Sequence, residues 1–292
     1  NHVMNITDID DKTIKKANEE NKNLREITSK YTSEFIEDMN TLKILPANKY
    51  PAATDHIQEM IAMTTTLIEK RNAYVTDDGS VYFSINSFEN YGKLAKLDMS
   101  SQKQTDRVAS DEYTKDNIQD FVLWKSWKKE DGDISWDSPW GKGRPGWHLE
   151  CSVMSTKYLS DHFDIHCGGV DNIFPHHENE IAQSQCATDQ PFVNVWLHSE
   201  FLIVDSGKMS KSLGNFYRIG DLKAMGFSPE CIRYQLLAGH YRTKISFTAD
   251  KKHEGDKVVR RISDLCSRLE KRNASEIANG TLPEAYSKFR DR

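Results

Sequence analysis

The chain has 292 residues, of which 37% are hydrophobic and 28% are charged, and its net charge at pH 7 is −5. The length suits two domains or one large domain with insertions, and no apolar run approaches the roughly 20 residues of a membrane-spanning helix, so no membrane partner is expected. The acidic balance does not indicate a nucleic-acid binder, although a local basic face would suffice for phosphate contacts. The five cysteines lack C-x-x-C spacing, which predicts free or metal-bound thiols in a cytoplasmic protein.

The N-terminal quarter of the sequence is predicted to be mainly helical. Residues 3–6 are a strand candidate that is already in progress where the sequence starts, so we expect the chain to be part of a longer protein. A helix is predicted at residues 13–20 after a run of polar capping residues. Apolar side chains recur at helical spacing over residues 23–42 and 54–71, and prolines interrupt the chain between these two segments. Three helices are therefore expected here.

The hydrophobic period then changes from helical to alternating. Residues 73–76 and 81–85 flank Asp78 and Gly79, a pair typical of the turn in a β-hairpin. The polar residues 86–119 predict the loops of an inserted subdomain, and a strand is expected at 121–124. Five of the six tryptophans follow within residues 124–147, and core packing explains most of them best.

Three residues have the chemistry of a zinc site. A glycine-rich loop at residues 138–147 leads into a predicted helix that carries Cys151. His176 and Glu180 stand four apart, so on a helix beginning at Pro175 both would project from one face. A thiolate, an imidazole and a carboxylate suit zinc, and three protein ligands with an open position are typical of catalytic zinc.

The distribution of histidines supports this interpretation. Six of the ten histidines lie within residues 148–198. Unrelated surface and core histidines are the alternative explanation, but the cluster around one cysteine and one His/Glu pair favours metal binding. Cys167 is a poor ligand candidate, because it follows His166 on a predicted strand at 163–166 and should point to the opposite face.

A possible nucleotide site follows the same strand. Gly168 and Gly169 form a turn between the strand and the His176 helix, and a strand, a glycine turn and a helix are the usual elements of a nucleotide site in an α/β sheet. A glycine pair alone is a weak signal. Asp171 could receive ribose hydroxyls or could cap the helix, and the spacing favours neither.

The remaining sequence predicts a cationic loop and helices. Strands at 193–197 and 201–204 are expected in the same sheet region. The glycine-containing loop that follows holds Lys208 and Lys211, which would suit triphosphate charge, although an ordinary solvated loop is the alternative. Helices are expected at about 218–226, 228–238 and 247–271. The last is rich in basic residues, which more often marks a solvated helix face than a nucleic-acid site.

Four motifs in the right order give the chain a specific family resemblance. They are Asn-Ile-Thr-Asp-Ile-Asp-Asp-Lys at residues 5–12, Gly-Arg-Pro-Gly-Trp-His-Leu-Glu-Cys at 143–151, Phe-Pro-His-His-Glu-Asn-Glu at 174–180 and Lys-Met-Ser-Lys-Ser at 208–212. The last is the second signature of class I aminoacyl-tRNA synthetases. Together the motifs resemble the cysteinyl-tRNA synthetase family, from residue 1 to about residue 245 and more weakly to the end.

The resemblance implies an α/β fold with the Rossmann-type parallel sheet of the class I synthetases, split by a connective insertion and followed by a stem-contact region and α-helices. The implied segments are 1–70 (the rest of the first Rossmann half), 71–140 (the insertion), 141–205 (the second half with the zinc site), 206–250 (the stem-contact region with the lysine loop) and 251–292 (the start of a helical bundle).

The resemblance also implies an activity, namely ATP-dependent ligation of L-cysteine to its tRNA through cysteinyl-adenylate, with Mg²⁺ accompanying ATP. One Zn²⁺ ion per chain would bond the substrate thiolate. By the matching positions, the residues fall into four groups: Cys151, His176 and Glu180 as zinc ligands; Lys208 and Lys211 as the catalytic lysines; Lys211, Asp171, Gly168 and Gly169 at ATP; and Thr7, Trp147 and His166 at the amino acid.

The sequence departs from the family pattern in two places. The family's fourth zinc ligand, a cysteine near the N-terminus, has no counterpart before Cys151, and neither has its first signature, the His-Ile-Gly-His-type motif that grips the ATP phosphates. Two alternatives stand beside the synthetase. One is the related ligase that joins cysteine to an amino sugar in mycothiol synthesis, which shares the zinc and adenylate chemistry but does not use tRNA. The other, suggested by the missing first signature, is a zinc-binding fragment without ATP chemistry.

Overall fold

The computed structural model describes residues 1–97, 107–108, 119–204, 207–209, 216–248 and 252–278. The chain divides into two compact units, Asn1–Ser199 and Glu200–Arg292. In the described part of the chain, no helix is both long and apolar enough to cross a membrane.

The first unit opens with two of the predicted helices, and each has a polar N-cap residue. Helix α1 (Asp11–Glu20) begins after Asp10, whose carboxylate accepts a hydrogen bond from the backbone N–H of Thr13. Helix α2 (Leu24–Thr41) begins after Asn23, whose side chain accepts from the backbone in the same way. These polar N-caps satisfy N–H groups that have no partner inside a helix, which is why both helices start where they do.

The third predicted helix and the first predicted strand need correction. Residues 54–71 divide into a 3₁₀ turn (Ala53–His56) and helix α3 (Ile57–Glu69). The strand expected at 3–6 is reduced to two isolated parallel bridges, which pair Val3 with Lys49 and Ile6 with Ala52.

The predicted hairpin forms the edge of a mainly antiparallel sheet. Its strands are β1 (Ala73–Val75), β2 (Val81–Phe83), β3 (Arg107–Val108) and β4 (Asp120–Ser126), in the order β1-β2-β4-β3. Gly79 turns the hairpin with φ of +83°, a conformation that favours glycine. Of residues 86–119, those at 98–106 and 109–118 lie outside the described residues.

One stretch predicted to be a loop is a strand. Within residues 138–147, strand β5 (Gly143–Pro145) pairs antiparallel with β4. A Cβ on Gly143 would lie 2.2 Å from the backbone oxygen of Lys125, so the close pairing requires glycine. Sequence reasoning took this glycine as a sign of a loop because it cannot foresee a close backbone approach.

Two helices and a parallel strand pair carry the residues of interest. Helix α4 (Trp147–Tyr158) precedes strand β6 (Phe163–Gly169), which pairs in parallel with β7 (Val193–Ser199). The helix expected from Pro175 is instead a π-helical turn (Ile173–His177) that leads directly into helix α5 (Glu178–Thr188). Phe174 has an extended backbone, consistent with the tendency of proline to keep the preceding residue out of the helical region.

The core of the first unit lies between α3, α4 and the mainly antiparallel sheet. Trp124 is fully buried there, as the core explanation of the tryptophans predicts, whereas Trp127 is 42% exposed. The other large, fully buried side chains of this core include Phe83, Phe121, Met60, Leu67, Leu123, Leu149 and Met154.

In its described residues, the second unit has a small sheet and three helices. Strand β8 (Leu202–Val204) pairs with β9 (Gly207–Lys208) and, in parallel, with β10 (Ile245–Phe247), so the prediction that residues 201–204 share a sheet region with 193–197 is wrong. The helices are α6 (Ile219–Ala224), α7 (Pro229–Leu237) and α8 (Lys252–Ala278). The first two match the predicted positions. The third starts later than predicted, because β10 occupies residues 245–247.

Candidate metal centre

The three predicted ligands converge although they come from different elements. Cys151 lies on α4, His176 in the π-helical turn and Glu180 in the first turn of α5. One ligand atom from each lies within 4.8 Å of the other two, and His176 Nε2 is 3.7 Å from Glu180 Oε2. The i,i+4 relationship therefore survives the change from a continuous helix to a turn followed by a helix.

A network of histidines surrounds these ligands. His148 Nδ1 contacts His176 Nδ1 at 2.9 Å, which leaves His176 Nε2 facing Glu180. The other carboxylate oxygen of Glu180 is 3.1 Å from His166 Nε2. His177 Nε2 lies 3.8 Å from Glu180 Oε2. His166, His177 and Glu180 therefore form a second group that could hold a metal ion, and this group shares the Glu180 carboxylate with the first.

Burial keeps most of these imidazoles neutral. It lowers the pKa of His148 and of His176 to about 3, despite the attraction of Glu180 for a proton on His176. His166 behaves differently, because the neighbouring Glu180 carboxylate outweighs burial and raises the His166 pKa. A neutral imidazole is the form that binds a metal ion, so His176 is ready to act as a ligand at neutral pH.

The acidic members of the centre have opposite shifts. Burial favours a neutral Glu180, but His166 and His176 outweigh it and lower the pKa of the Glu180 carboxyl. Burial together with Glu180 and Glu150 raises the pKa of the Cys151 thiol well above its ordinary value. A cation among these groups would reverse the second shift, because a coordinated thiol is deprotonated.

The donor set fits a metal ion of the zinc type. Among the described residues Glu180 Oε2 is buried without a hydrogen-bond partner, which is costly unless a cation or water satisfies it. It faces a neutral imidazole and a buried thiol, and sulfur, nitrogen and oxygen donors together are the ligands that zinc accepts. Cys167 is exposed and belongs to neither candidate ligand group, as strand alternation predicted.

The residues expected at the amino acid surround the same centre. The Trp147 indole stacks on the His176 ring with 4.1 Å between ring centroids. Asn5 donates a hydrogen bond to Thr7 Oγ1 at 3.0 Å and contacts Cys151 Sγ at 3.6 Å, which brings the N-terminal motif to the candidate ligands. Sequence reasoning missed Asn5 as a site residue, although it begins the motif that contains Thr7.

The glycine turn is shaped by close packing. A Cβ on Gly168 would lie 2.5 Å from the His177 ring, and one on Gly169 would lie 2.3 Å from Asp171 Oδ1. Asp171 is exposed in a 3₁₀ turn (Val170–Asn172). The N-cap residue of α5 is His177, so the alternative in which Asp171 caps that helix is not realised.

The lysine loop falls largely outside the described residues. Lys211 is among the residues that the structure leaves undescribed, and for Lys208 only the backbone is placed, in β9. The catalytic and ATP-binding roles expected of these two lysines therefore stay predictions.

Sequence reasoning also missed several buried polar residues around the ligands. They are Ser152, Glu178, Asn179 and Gln183, each of which is completely buried. Four consecutive strongly polar positions at 177–180 are unusual in a buried segment, and that run was the available signal for Glu178 and Asn179.

The comparisons with known proteins agree with this fold. Residues 1–256 match the family model described as the catalytic domain of class I (C) tRNA synthetases. The chain belongs to this family of class I aminoacyl-tRNA synthetases.

Curated relatives make the likeness more particular. The chain is 54% identical over 297 residues to the cysteine–tRNA ligase of Brachyspira hyodysenteriae, covering 99% of the chain and 62% of that protein. It is 54% identical over 270 residues to the cysteine–tRNA ligase of Chlamydia pneumoniae, covering 92% of the chain and 57% of that protein. The chain thus spans about 60% of the length of these relatives.

Solved structures support the fold. Two structures of Mycobacterium tuberculosis methionyl-tRNA synthetase with methionyl-adenylate align with TM-scores of 0.65 and 0.62. Each alignment covers 94% of this chain and 64% of the other, at 14% and 13% sequence identity. At that identity the likeness concerns the class I fold alone.

Proposed function

We propose that this chain forms the catalytic part of a cysteine–tRNA ligase that selects its amino acid with a bound zinc ion. The observation that carries the proposal is the convergence of Cys151, His176 and Glu180 within 4.8 Å, in a chain 54% identical to proteins named cysteine–tRNA ligase. These relatives also favour tRNA over an amino sugar as the acceptor.

Within this proposal the three ligands would hold Zn²⁺, and His148 would orient the His176 ring. When bound, the ion supplies a soft Lewis acid that prefers a thiolate to a hydroxyl group. That preference addresses the main problem of selectivity, because a hydrophobic pocket separates two amino acids of similar shape by only about 1–3 kcal/mol.

The remaining residues would position the other reactants. Trp147, which stacks on His176, would close one side of the amino-acid pocket, and Thr7 and His166 would line it. Asp171, Gly168 and Gly169 would lie at ATP with its Mg²⁺, and Lys208 and Lys211 would neutralise phosphate charge. The substrate carboxylate would attack the α-phosphate of ATP, and a tRNA ribose hydroxyl would then take the cysteinyl group. Neither step needs a protein nucleophile, so catalysis would rest on positioning and electrostatics.

The segment boundaries expected from the family complete the proposal. Residues 1–70 and 141–205 would form the two Rossmann halves around an insertion at 71–140. Residues 206–250 would contact the tRNA acceptor stem, and residues 251–292 would begin a helical bundle.

The proposal is tested by cysteine-dependent ATP–pyrophosphate exchange with the complete protein. We expect His176→Ala and Glu180→Ala to raise the KM for cysteine at least about 100-fold, because thiol recognition is lost, while the KM for ATP changes less than about threefold. The matched control is His162→Ala, because His162 is exposed and contacts Asn194 instead of the ligands. Equal losses for cysteine and ATP would contradict zinc as the selector, and no exchange in the wild-type protein would support the zinc-binding fragment.

A further inference from the structure

Gln183 joins the two helices that carry candidate ligands. Its side chain is completely buried on α5, three residues beyond Glu180 and therefore on the same face of the helix. Its Nε2 donates to the backbone oxygen of His148 at 2.5 Å and to Ser152 Oγ at 2.7 Å. These two acceptors lie on α4, on either side of Cys151.

Ser152 extends the connection back to α5. Its hydroxyl accepts from Gln183 and donates to the backbone oxygen of Glu180 at 3.5 Å. A continuous path of hydrogen bonds therefore runs from α4, at the residue after Cys151, to α5, at Glu180 itself. It crosses between the helices at the level of the candidate ligands.

Packing alone gives no reason for an amide at this position. The neighbouring Ala182 is also fully buried, and apolar side chains hold most helix pairs together without the cost of burying a polar group. The Gln183 Oε1 atom is buried without a hydrogen-bond partner among the described residues, so part of the free-energy cost of burying the amide is not offset. What Gln183 contributes in return is a directional contact of fixed length between α4 and α5.

We propose that Gln183 is a positioning residue that sets the separation between Cys151 and Glu180, and thereby the affinity of the centre for Zn²⁺. The inference rests on the proposed metal site. It adds that the hydrogen bonds of Gln183 and Ser152, and not only the bonds from the ligands to the metal ion, set the spacing between Cys151 and Glu180.

The test compares Gln183→Met with Gln185→Met in the complete protein. Methionine is close to glutamine in size but cannot donate, and Gln185 lies on the same helix at an open, half-buried position away from α4. Zn²⁺ affinity is measured by competition with a chromophoric chelator. We expect Gln183→Met to bind Zn²⁺ about 10–100-fold more weakly and Gln185→Met to bind it like the wild type.

A second readout separates positioning from general stability. Co²⁺ in place of Zn²⁺ gives a thiolate charge-transfer band whose position and intensity report ligand geometry. We expect the band to change in Gln183→Met and in Ser152→Ala. In the double variant the two effects should be less than additive, because both substitutions remove the hydrogen bond between Gln183 and Ser152. Thermal unfolding identifies any variant that fails to fold, and Ser152→Ala then carries the test.

The outcomes distinguish the two proposals. If the wild-type protein binds no Zn²⁺, both proposals fail. If the wild type binds Zn²⁺ and Gln183→Met and Ser152→Ala bind it equally well with an unchanged Co²⁺ spectrum, the metal site stands and the role of Gln183 is overturned.

Discussion

The Glu178 carboxylate accepts a hydrogen bond from the backbone N–H of Gly92 at 2.7 Å through one oxygen, and from that of Ala95 at 2.8 Å through the other. Glu178 is the first residue of α5 and is completely buried. Only Asn179 separates it from Glu180, so the hydrogen bonds that fix the start of the helix also fix a candidate ligand.

Glu178→Gln is expected to reduce the free energy of unfolding by about 1–3 kcal/mol. Both carboxylate oxygens face an N–H group, so either orientation of the glutamine amide places its NH₂ against a donor and leaves that donor unsatisfied. All six tryptophans lie in the unit Asn1–Ser199, and their fluorescence during urea unfolding therefore reports on the right part of the chain. The control is Glu89→Gln, an exposed residue close to Gly92 in sequence. Equal stability of the two variants would show that the hydrogen bonds from Gly92 and Ala95 to Glu178 do not stabilise the fold.

A second buried charge, Arg144 of β5, is predicted to contribute strongly to the free energy of unfolding of the same unit. Its guanidinium contacts Asp11 at the start of α1 and donates from Nε to Asp131 Oδ1 at 3.0 Å, and the Arg144 and Asp131 side chains are only 9% and 8% exposed. Arg144→Met leaves Asp131 without its cation and should cost about 3–5 kcal/mol in the free energy of unfolding. Urea unfolding is the measurement, and Arg25→Met on the exposed surface of α2 is the control. A loss below about 1 kcal/mol would show that water replaces the guanidinium.

Asp11 predicts a pH dependence. Burial opposes its ionisation, but Lys125 and Arg144 outweigh burial and lower the pKa of the Asp11 carboxyl. Because the pKa is lower in the folded protein than in the unfolded chain, its stabilising effect is complete above the unfolded value of about 3.9 and is lost as the pH falls through the folded value.

Asp11→Asn should therefore be less stable than the wild type at pH 7, and the difference should shrink below about pH 4. The Asp11 side chain is 56% exposed, so solvent screening keeps the effect modest. The experiment is urea unfolding of both proteins from pH 7 to pH 3. A difference that is constant over this range would assign the effect to packing instead of charge.

The candidate ligands are easier to predict from the sequence than the residues that support them. Residue type and spacing are enough to select Cys151, His176 and Glu180, because ligand chemistry restricts the choice and a helical turn repeats every four residues. The support depends on contacts between residues distant in sequence. From the sequence, Glu178 and Gln183 resemble surface residues. Their burial depends on hydrogen bonds with Gly92, 86 positions from Glu178, and with His148, 35 positions from Gln183.

The errors in the predicted fold have the same origin. Local pattern identified β8 as a strand but not its parallel partner β10, because β10 lies about 40 residues later in the chain. Gly143 was assigned to a loop because its local signal is flexibility, whereas its function in the fold is to let β5 approach β4 closely. The irregular backbone before α5 has a local cause instead. Phe174 precedes a proline, and a residue in that position is disfavoured in the helical conformation, so this feature could have been predicted from the sequence.

Gly168→Ala tests whether the glycine turn after β6 is required by packing. The new Cβ would lie 2.5 Å from His177 Cε1 and 3.1 Å from Asn172 Nδ2. The His177 ring is 1% exposed and held by a contact of 2.8 Å between its Nδ1 and His198 Nε2, so it has no room to move aside. Overpacking of this kind should cost about 1–3 kcal/mol in the free energy of unfolding.

The comparison is Gly220→Ala in α6, where a Cβ meets nothing within 4 Å and alanine suits a helix better than glycine does. That variant should be neutral or more stable by up to about 1 kcal/mol. Urea unfolding followed by circular dichroism, which reports on both units, measures the two proteins against the wild type. If Gly168→Ala is as stable as Gly220→Ala, the His177 ring is free to rotate away, and the turn keeps its glycine for a reason other than the space beside that ring.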